Sequence, residues 1–458
     1  MDIIHHGAKT GVTGSCHELM IGKSSLLIDC GLFQGAEAKH QQLNIEFDIK
    51  HIEALLVTHS HIDHIGRIPW LLAAGFSGPI YATEATAALL PLMLEDGLKI
   101  QLGFNEKQCQ QFTQLIKQKI RPVPYDCWAK LVLLNGESVS VRFRQAGHIL
   151  GSAYIEIRLP DQRTVVFSGD LGPSNTPLLS DPISPSSADV LVLESTYGDK
   201  PHHDVIERES QLRQLIEHSL RDGGAILIPA FSVGRTQELL FDIENILADV
   251  LSGSSHDNEH QKVWKTLPVI LDSPLAQKIT EQYRHFHELW SKEAKDRRYV
   301  GRHPLAFEQC ITIESHQDHV ELVNRLKHSG EPAIIVAASG MCSGGRIMNY
   351  LEALLPDVRA DVILAGYQAV GTVGRQLLDQ NNQIVINDKN VEVNAKVYGL
   401  SGYSAHAAQD DLVKFVEQIE DGPSVIRIVH GDKEAQSRLA DKLRACRPNT
   451  EIVIAAEL

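Results

Sequence analysis

Paired cysteines, membrane-length apolar runs and an excess of basic charge are all missing from this chain. Its seven cysteines, at positions 16, 30, 109, 127, 310, 342 and 446, are scattered, odd in number and form no C-x-x-C pair. A disulfide framework is thereby disfavoured, and a cytoplasmic protein with reduced thiols is expected. No apolar stretch approaches a membrane span, so no membrane partner is expected. The first residues, Met1-Asp2-Ile3-Ile4-His5-His6-Gly7, lack the basic region and apolar core of a signal peptide. The formal net charge is −15, whereas binding a polyanion usually leaves a basic footprint. That counts against tight, sequence-independent nucleic-acid binding. Net charge governs solubility rather than fold, however, and a cleft holding two dications can reverse the field locally.

What is present is ordinary globular material, 43% hydrophobic and 22% charged over 458 residues, with no internal repeat or low-complexity tract. That length suggests two or three domains. Short apolar strands are expected at residues 19–21, 25–28, 54–57 and 80–82, then a helical stretch over 84–119 broken near Gly97 and Gly103. Strands resume at 131–134, 139–143, 153–158, 164–168 and 189–193, which makes a layered αβ domain. After Tyr197-Gly198-Asp199-Lys200-Pro201 the texture changes. A charged helix over 204–221 leads to a strand at 224–229, and another helix starts after Ser232. Strands at 268–271, 333–337 and 361–364 alternate with helices, as in a parallel αβ sheet. The polar stretch 252–260 reads as a flexible loop, and from about Val391 the strand-and-turn texture returns, with strands at 395–400 and 425–429 flanking a helix at 409–419.

The densest chemical signal is His59-Ser60-His61-Ile62-Asp63-His64, directly after the apolar run Ala54-Leu55-Leu56-Val57. Zinc binds imidazole and carboxylate at short distances in a near-tetrahedral cage. In extended chain alternate side chains share a face, so His59 and His61 can reach one ion. Asp63 and His64 sit where the chain turns into a helix-like stretch over 65–74 and suit a second ion. The bland alternative is a histidine-rich surface turn. Three further segments end strands in ligand-type residues: Gly147-His148-Ile149-Leu150-Gly151-Ser152, Ser168-Gly169-Asp170 and Val429-His430-Gly431-Asp432. Each alone reads as an ordinary loop; together they form a set that one rim of a sheet can gather.

The order His-x-His-x-Asp-His, Gly-His, Ser-Gly-Asp resembles the metallo-β-lactamase superfamily, and the whole chain resembles its β-CASP nuclease branch. The likeness is carried by Gly11-Val12-Thr13-Gly14-Ser15-Cys16, Leu193-Glu194-Ser195-Thr196-Tyr197-Gly198 and Ile228-Pro229-Ala230-Phe231-Ser232-Val233-Gly234-Arg235. It continues through Ala338-Ser339-Gly340-Met341-Cys342-Ser343-Gly344-Gly345-Arg346, Gly371-Thr372, Ser404-Ala405-His406 and Val429-His430-Gly431. The resemblance implies an αββα sandwich in two parts, residues 1–200 and 386–458, with a parallel-sheet β-CASP domain inserted over 201–385. It implies two zinc ions: His59, His61 and His148 on one, Asp63, His64 and His430 on the other, and Asp170 bridging. Catalytic roles fall to His406, Asp63 and Glu194. His406 matches the histidine beside the scissile phosphate, as proton donor or phosphate ligand. Asp29 and Glu194 match acidic residues that support metal-binding histidines from behind. Read without the family, both are strand-end carboxylates capping turns.

The glycine-rich loop at 339–346, with Ser339, Gly340, Ser343, Gly344, Gly345 and Arg346, can offer backbone N–H groups and a bidentate arginine to phosphate. Ser232 and Arg235 can do the same, although such turns are also common structural features. In the family these loops line the nucleic-acid cleft facing the metals. Ser315-His316-Gln317-Asp318-His319 mimics a ligand cluster but reads as the capped start of a helix running to Lys327. His5, His6, His202, His203, His285 and His287 match no family motif and read as surface or loop histidines. Cys342 lies inside the phosphate-loop match, with nothing to support a reactive thiol.

The implied activity is zinc-dependent hydrolysis of phosphodiester bonds in single-stranded RNA. His430 favours RNA, since DNA-repair members of the branch typically carry valine there. The chain stops soon after the last metal motif and begins directly with the first lactamase strand. Neither the C-terminal domain of the RNase J group nor an N-terminal KH domain is therefore expected, and endonuclease is favoured over 5′-exoribonuclease. The alternatives are a thioester or lactone hydrolase on the same dizinc core, which has no need of His406 or the insertion, and a non-catalytic scaffold, which would have lost metal ligands. A homodimer is left open.

Overall fold

In the computed structural model, which describes residues 1–35, 37–40, 42–200, 205–252 and 258–457, the chain divides into two units. Met1–His202 and Ala405–Leu458 form the first, and His203–Ser404 the second.

The first unit is built on two sheets. One runs, in spatial order, Asp2–His5, His17–Ile21, Ser24–Ile28, Ile52–Leu56, Ile80–Thr83 and Ile120–Val123. The other runs Glu451–Ile454, Val425–Ile428, Val190–Leu193, Thr164–Phe167, Ala153–Arg158, Ser138–Gln145 and Ala129–Val132. The central strands are apolar on both faces because each face meets a different layer. Leu26, Ile28 and Leu56 point into a shared core with Val165, Phe167 and Val192 of the other sheet. Their neighbours Leu27, Leu55 and Val57 pack under Ile65, Leu71, Leu90 and Leu94 of helices on the outer side. Across the sandwich Val166, Leu191 and Leu193 pack under Leu412, Phe415 and Leu439. A period-2 chain buried on both sides yields this αββα stack.

Local details depart from expectation. The helix Glu84–Leu102 starts at Thr83, whose hydroxyl accepts the Thr86 N–H, and ends at Gly103 with φ +60°. Gly97 does not interrupt it. A second helix, Glu106–Lys119, follows a capping box at Asn105 and Gln108. The strand expected at 131–134 is Ala129–Val132 instead, because Leu133, Asn135 and Gly136 form the turn and leave Leu134 exposed.

The second unit has a parallel sheet in the order Cys310–Thr312, Val269–Asp272, Ala333–Ala337, Ala225–Pro229, Asp361–Ala365 and Lys396–Leu400. From Ala225–Pro229 the chain crosses to Val269–Asp272, beyond Ala333–Ala337; from Ala333–Ala337 it crosses the other way to Asp361–Ala365. Connections that diverge from adjacent parallel strands open a crevice at their carboxyl ends, where ligands bind in open α/β sheets.

One boundary needs correction. Residues 386–404 were expected in the first domain, yet Lys396–Leu400 pairs in parallel with Asp361–Ala365, from Asp361↔Lys396 to Ala365↔Leu400. It is the edge strand of the second unit. Residues 253–257 of the expected loop lie outside the described residues, and Asn258–Thr266 is helical rather than loop. His202, His203 and the start of the helix expected from 204 also lie outside them; the observed helix is Arg208–Ser219.

Candidate metal centre

The site is assembled at strand ends of the first unit. Asp29 follows Ser24–Ile28 with φ +59°, a left-handed conformation that a short polar side chain tolerates. Its carboxylate accepts the Thr58 N–H at 2.8 Å and the Thr58 hydroxyl at 2.7 Å, which pins the end of Ile52–Leu56 just before the first histidine. The same carboxylate accepts from His64 Nδ1 at 2.7 Å. That bond sets the tautomer and turns Nε2 towards the other ligands. His61 caps a helical turn, Ile62–Ile65, that begins three positions earlier than expected and carries Asp63 and His64. The turn is pressed against Gly31, where a Cβ would lie 1.5 Å from the Asp63 carbonyl oxygen. Only glycine fits there.

Two donor sets result, one of His59, His61, His148 and Asp170, the other of Asp63, His64, Asp170 and His430. In the first, His61 Nδ1 lies 3.1 Å from His59 Nε2 and 2.9 Å from His148 Nε2. In the second, His64 Nε2 and His430 Nε2 are 3.2 Å apart, and Asp63 Oδ2 is 3.5 Å from His430 Nε2. Asp170 joins the sets. Its Oδ2 is 3.6 Å from both His59 and His148 Nε2, and its Oδ1 is 3.3 Å from His64 Nε2.

These residues fit divalent zinc. A tetrahedral zinc with nitrogen ligands has ligand–ligand edges of roughly 3.3 Å, close to the observed spacings. Both carboxylate oxygens of Asp170 are buried and accept no hydrogen bond, a costly arrangement unless a cation balances it. Burial, with neighbouring imidazoles, holds His59 and His148 well below the usual histidine range and His61 down to about 4. Their lone pairs are therefore free at neutral pH, as ligation requires. His64 and His430 behave oppositely. Burial opposes their protonation, but Asp170 with Asp29 beside His64, and Asp170 with Asp63 beside His430, push both up.

His406 stands beside the two sets. Its Nδ1 is 3.5 Å from Glu194 Oε2 and 3.7 Å from Asp170 Oδ2. Against burial, Glu194, Asp170 and Asp63 push its imidazole up to about 9. Glu194 was expected behind a metal-binding histidine. It instead faces His406, while Oε1 accepts the Leu171 N–H at 2.6 Å. Asp29 does stand behind His64, a member of the second donor set. The corresponding partner of His148 is the Ala405 carbonyl at 2.6 Å, and that of His430 is the Thr196 hydroxyl at 3.2 Å. Thr196 and Ala405 lie inside motifs that carry the family resemblance, but their roles beside His430 and His148, like that of Thr58 beside Asp29, appear only in the fold.

In the second unit, Ser232 Oγ lies 3.4 Å from Ser273 Oγ, the two following strands that flank Ala333–Ala337. The Ser339 hydroxyl accepts the Ser343 N–H at 3.0 Å, closing the glycine-rich loop on itself around Gly340, Gly344 and Gly345. Arg346 corrects the phosphate-clamp expectation. Its Nη1 donates to Asp272 Oδ1 and, at 2.9 Å, to the Ile313 carbonyl, and its Nη2 donates to the Glu314 carbonyl. The buried Asp272 carboxylate draws the guanidinium inward. The same carboxylate accepts from His319, which is fully buried and also bonded to Asn349. Ser315 accepts the Asp318 N–H as the cap of His316–Ser329, so that histidine-rich segment is structural. Burial pushes the Cys342 thiol up to about 12. His5, expected at the surface or in a loop, is buried at the end of a strand with its Nδ1 2.9 Å from His17 Nδ1, and His6 is bonded to Glu18 at 2.8 Å.

The metallo-beta-lactamase superfamily model matches residues 11–249, the Beta-Casp domain model residues 236–377, and the model of a Zn-dependent metallo-hydrolase RNA specificity domain residues 390–454. Ribonuclease TTHA0252 of Thermus thermophilus is 34% identical over 98% of this chain and 96% of its own length. Transcription termination factor FttA of Methanocaldococcus jannaschii is 29% identical over 96% of this chain and 68% of its own. A solved structure of a protein of unknown function from Enterococcus faecalis V583 shares the fold, with a TM-score of 0.53 at 15% identity, over 98% of this chain and 97% of that one.

Proposed function

The chain belongs to the metallo-β-lactamase superfamily, in the branch that carries a Beta-Casp domain, and on that premise we propose that it is a zinc-dependent ribonuclease cutting single-stranded RNA internally. The observation that carries this reading is His406, held by Glu194 beside two donor sets that share Asp170. Zinc held by the two sets would supply a water acidified towards neutral pH and positive charge beside the phosphoryl oxygens. Of the chain's own groups, His59, His61 and His148 would hold one ion, Asp63, His64 and His430 the other, and Asp170 both. Asp29 orients His64. His406 keeps Nδ1–H towards Glu194 and carries its second proton on Nε2. As a water oxygen bonds to phosphorus and the P–O3′ bond breaks, that proton passes to the leaving oxygen and a proton of the attacking water goes to solvent, leaving a 3′-hydroxyl and a 5′-phosphate.

In the second unit, Ser232, Arg235 and the backbone of Gly340, Gly344 and Gly345 are read as holding the RNA phosphates, with Ser339 and Ser343 shaping the loop. The relatives support RNA as substrate: one bears the name ribonuclease, and the 390–454 match is to an RNA specificity domain. Seven free thiols suit a reducing compartment, which favours the cytoplasm. No helix among the described residues is long and apolar enough to cross a membrane.

The test is digestion of matched 5′- and 3′-labelled single-stranded RNA, with DNA and chelator controls. Internal fragments from both labels, lost with chelator and absent on DNA, are expected. A ladder of single nucleotides from one end would replace endonuclease by exonuclease. Fully metallated protein active only on thioesters would remove the nuclease reading.

A further inference from the structure

Three loops leave the carboxyl edge of the second unit's sheet and touch one another. The Ala230 N–H donates to the Ala337 carbonyl at 3.0 Å, and Gln368 Nε2 donates to the Gly340 carbonyl at 3.0 Å. A Cβ on Gly340 would lie 2.9 Å from the Phe231 ring, and one on Gly366 would lie 2.0 Å from Arg235 Nη1. Phe231 therefore lies along the glycine-rich loop, and the Arg235 guanidinium lies along the loop that begins at Gly366. These loops flank the crevice that diverging connections open between adjacent parallel strands.

Within this convergence two aromatic side chains face solvent, Phe231 at 40% and Tyr367 at 56% exposure, with Val370 at 85% beyond Tyr367. They follow neighbouring strands, paired Ile226↔Asp361 and Leu227↔Val362. Continuing that register sets Phe231 level with Gly366, one residue before Tyr367, across a strand spacing of about 4.8 Å. Exposed rings cost solvation free energy, and a crevice edge is where a ligand with flat apolar faces recovers it. We infer that Phe231 and Tyr367 form a base-stacking platform for single-stranded RNA, with Arg235 beside them, an inference that rests on the ribonuclease reading above.

The chemistry selects a single strand because the bases of a duplex are stacked on each other and present no free face. Stacking is also what this chain needs. A net charge of −15 leaves little binding from counterion release, whereas stacking on an aromatic side chain is indifferent to charge and tolerant of sequence.

The experiment compares two oligonucleotides of equal length, an unstructured RNA and its counterpart with abasic nucleotides, on the full chain loaded with zinc. Phe231→Ala and Tyr367→Ala are each expected to raise KM for the base-bearing RNA roughly 5- to 140-fold, the loss of one stacked base. Phe231→Trp and Tyr367→Phe should restore it. Wild-type protein should lose affinity on the abasic strand, and the alanine variants should lose nothing further there. Equal losses on both strands, or no loss on either, would overturn the platform while leaving the ribonuclease reading intact. Failure of wild-type protein to bind or cut either strand would remove that reading itself, and the platform with it.

Discussion

His406 Nδ1 lies 3.5 Å from Oε2 of Glu194, whose other carboxylate oxygen accepts the backbone N–H of Leu171 at 2.6 Å. One buried carboxylate thus orients the proton-bearing histidine and fixes the chain immediately after Asp170, the residue shared by both donor sets. His406 and the backbone beside Asp170 are held by the same side chain.

His406→Ala should therefore lower kcat on single-stranded RNA by about 10²–10⁴-fold while retaining bound metal. Glu194→Gln should cause a smaller loss, because the ring stays but its charged support goes, and should lower the pKa of His406. Pre-steady-state cleavage rates, with metal content on the same samples, check both. Loss of metal in His406→Ala would show that this ring is a ligand instead.

Metal uptake should release protons. His64 and His430 are pushed up by their carboxylate neighbours, whereas His59, His61 and His148 are held down by burial. Near neutral pH the second set must therefore shed protons to bind, and the first already offers free lone pairs. A raised pKa means protons held up to higher pH, so the release falls as pH rises through the folded values. Calorimetry of zinc binding to chelator-stripped protein, in buffers of different ionisation enthalpy, measures it. His430→Ala should abolish much of the release.

Asp29→Asn removes the charge behind His64 but keeps the shape, and Thr58 remains bonded through the amide oxygen. Weakening of one zinc by about 10–100-fold is expected, the usual cost of losing such a support, with the other zinc little affected. Competition against a chromogenic chelator resolves the two affinities.

Gly31→Ala places a methyl group where the Asp63 carbonyl stands, 1.5 Å from its oxygen. The helical turn bearing Asp63 and His64 must shift, at a cost of about 1–3 kcal/mol for overpacking. A lower Tm and a weaker second metal site should appear together. A drop in Tm with both metals intact would show that the strain relaxes elsewhere.

Much of the site was legible because its donor residues mostly end strands, where a run of apolar residues stops abruptly at histidine or aspartate. His59, Asp170 and His430 follow that rule, whereas His148 sits in a glycine-bounded segment after the mixed strand Ser138–Gln145. What was not legible depends on partners far along the chain. Arg346 reads as a phosphate clamp beside three glycines, but its charge is claimed by Asp272, buried on a different strand. Glu194 reads as a support for a ligand, and only folding shows that it faces His406. The edge strand Lys396–Leu400 was assigned to the wrong unit because strand texture says nothing about which sheet a strand joins, and its pairing with Asp361–Ala365 is long-range. His5 looked like a surface residue for the same reason: its neighbour in the sheet is His17, and the antiparallel pairing buries both.

On this account two zinc ions, held by donor sets that share Asp170, would act together on RNA. The most direct measurement titrates zinc into stripped protein while following cleavage of an unstructured labelled RNA. Activity that stays near zero through the first equivalent and rises with the second, and that Asp170→Asn abolishes, is the predicted result. Full activity at one equivalent, or undiminished cleavage by Asp170→Asn, would contradict it.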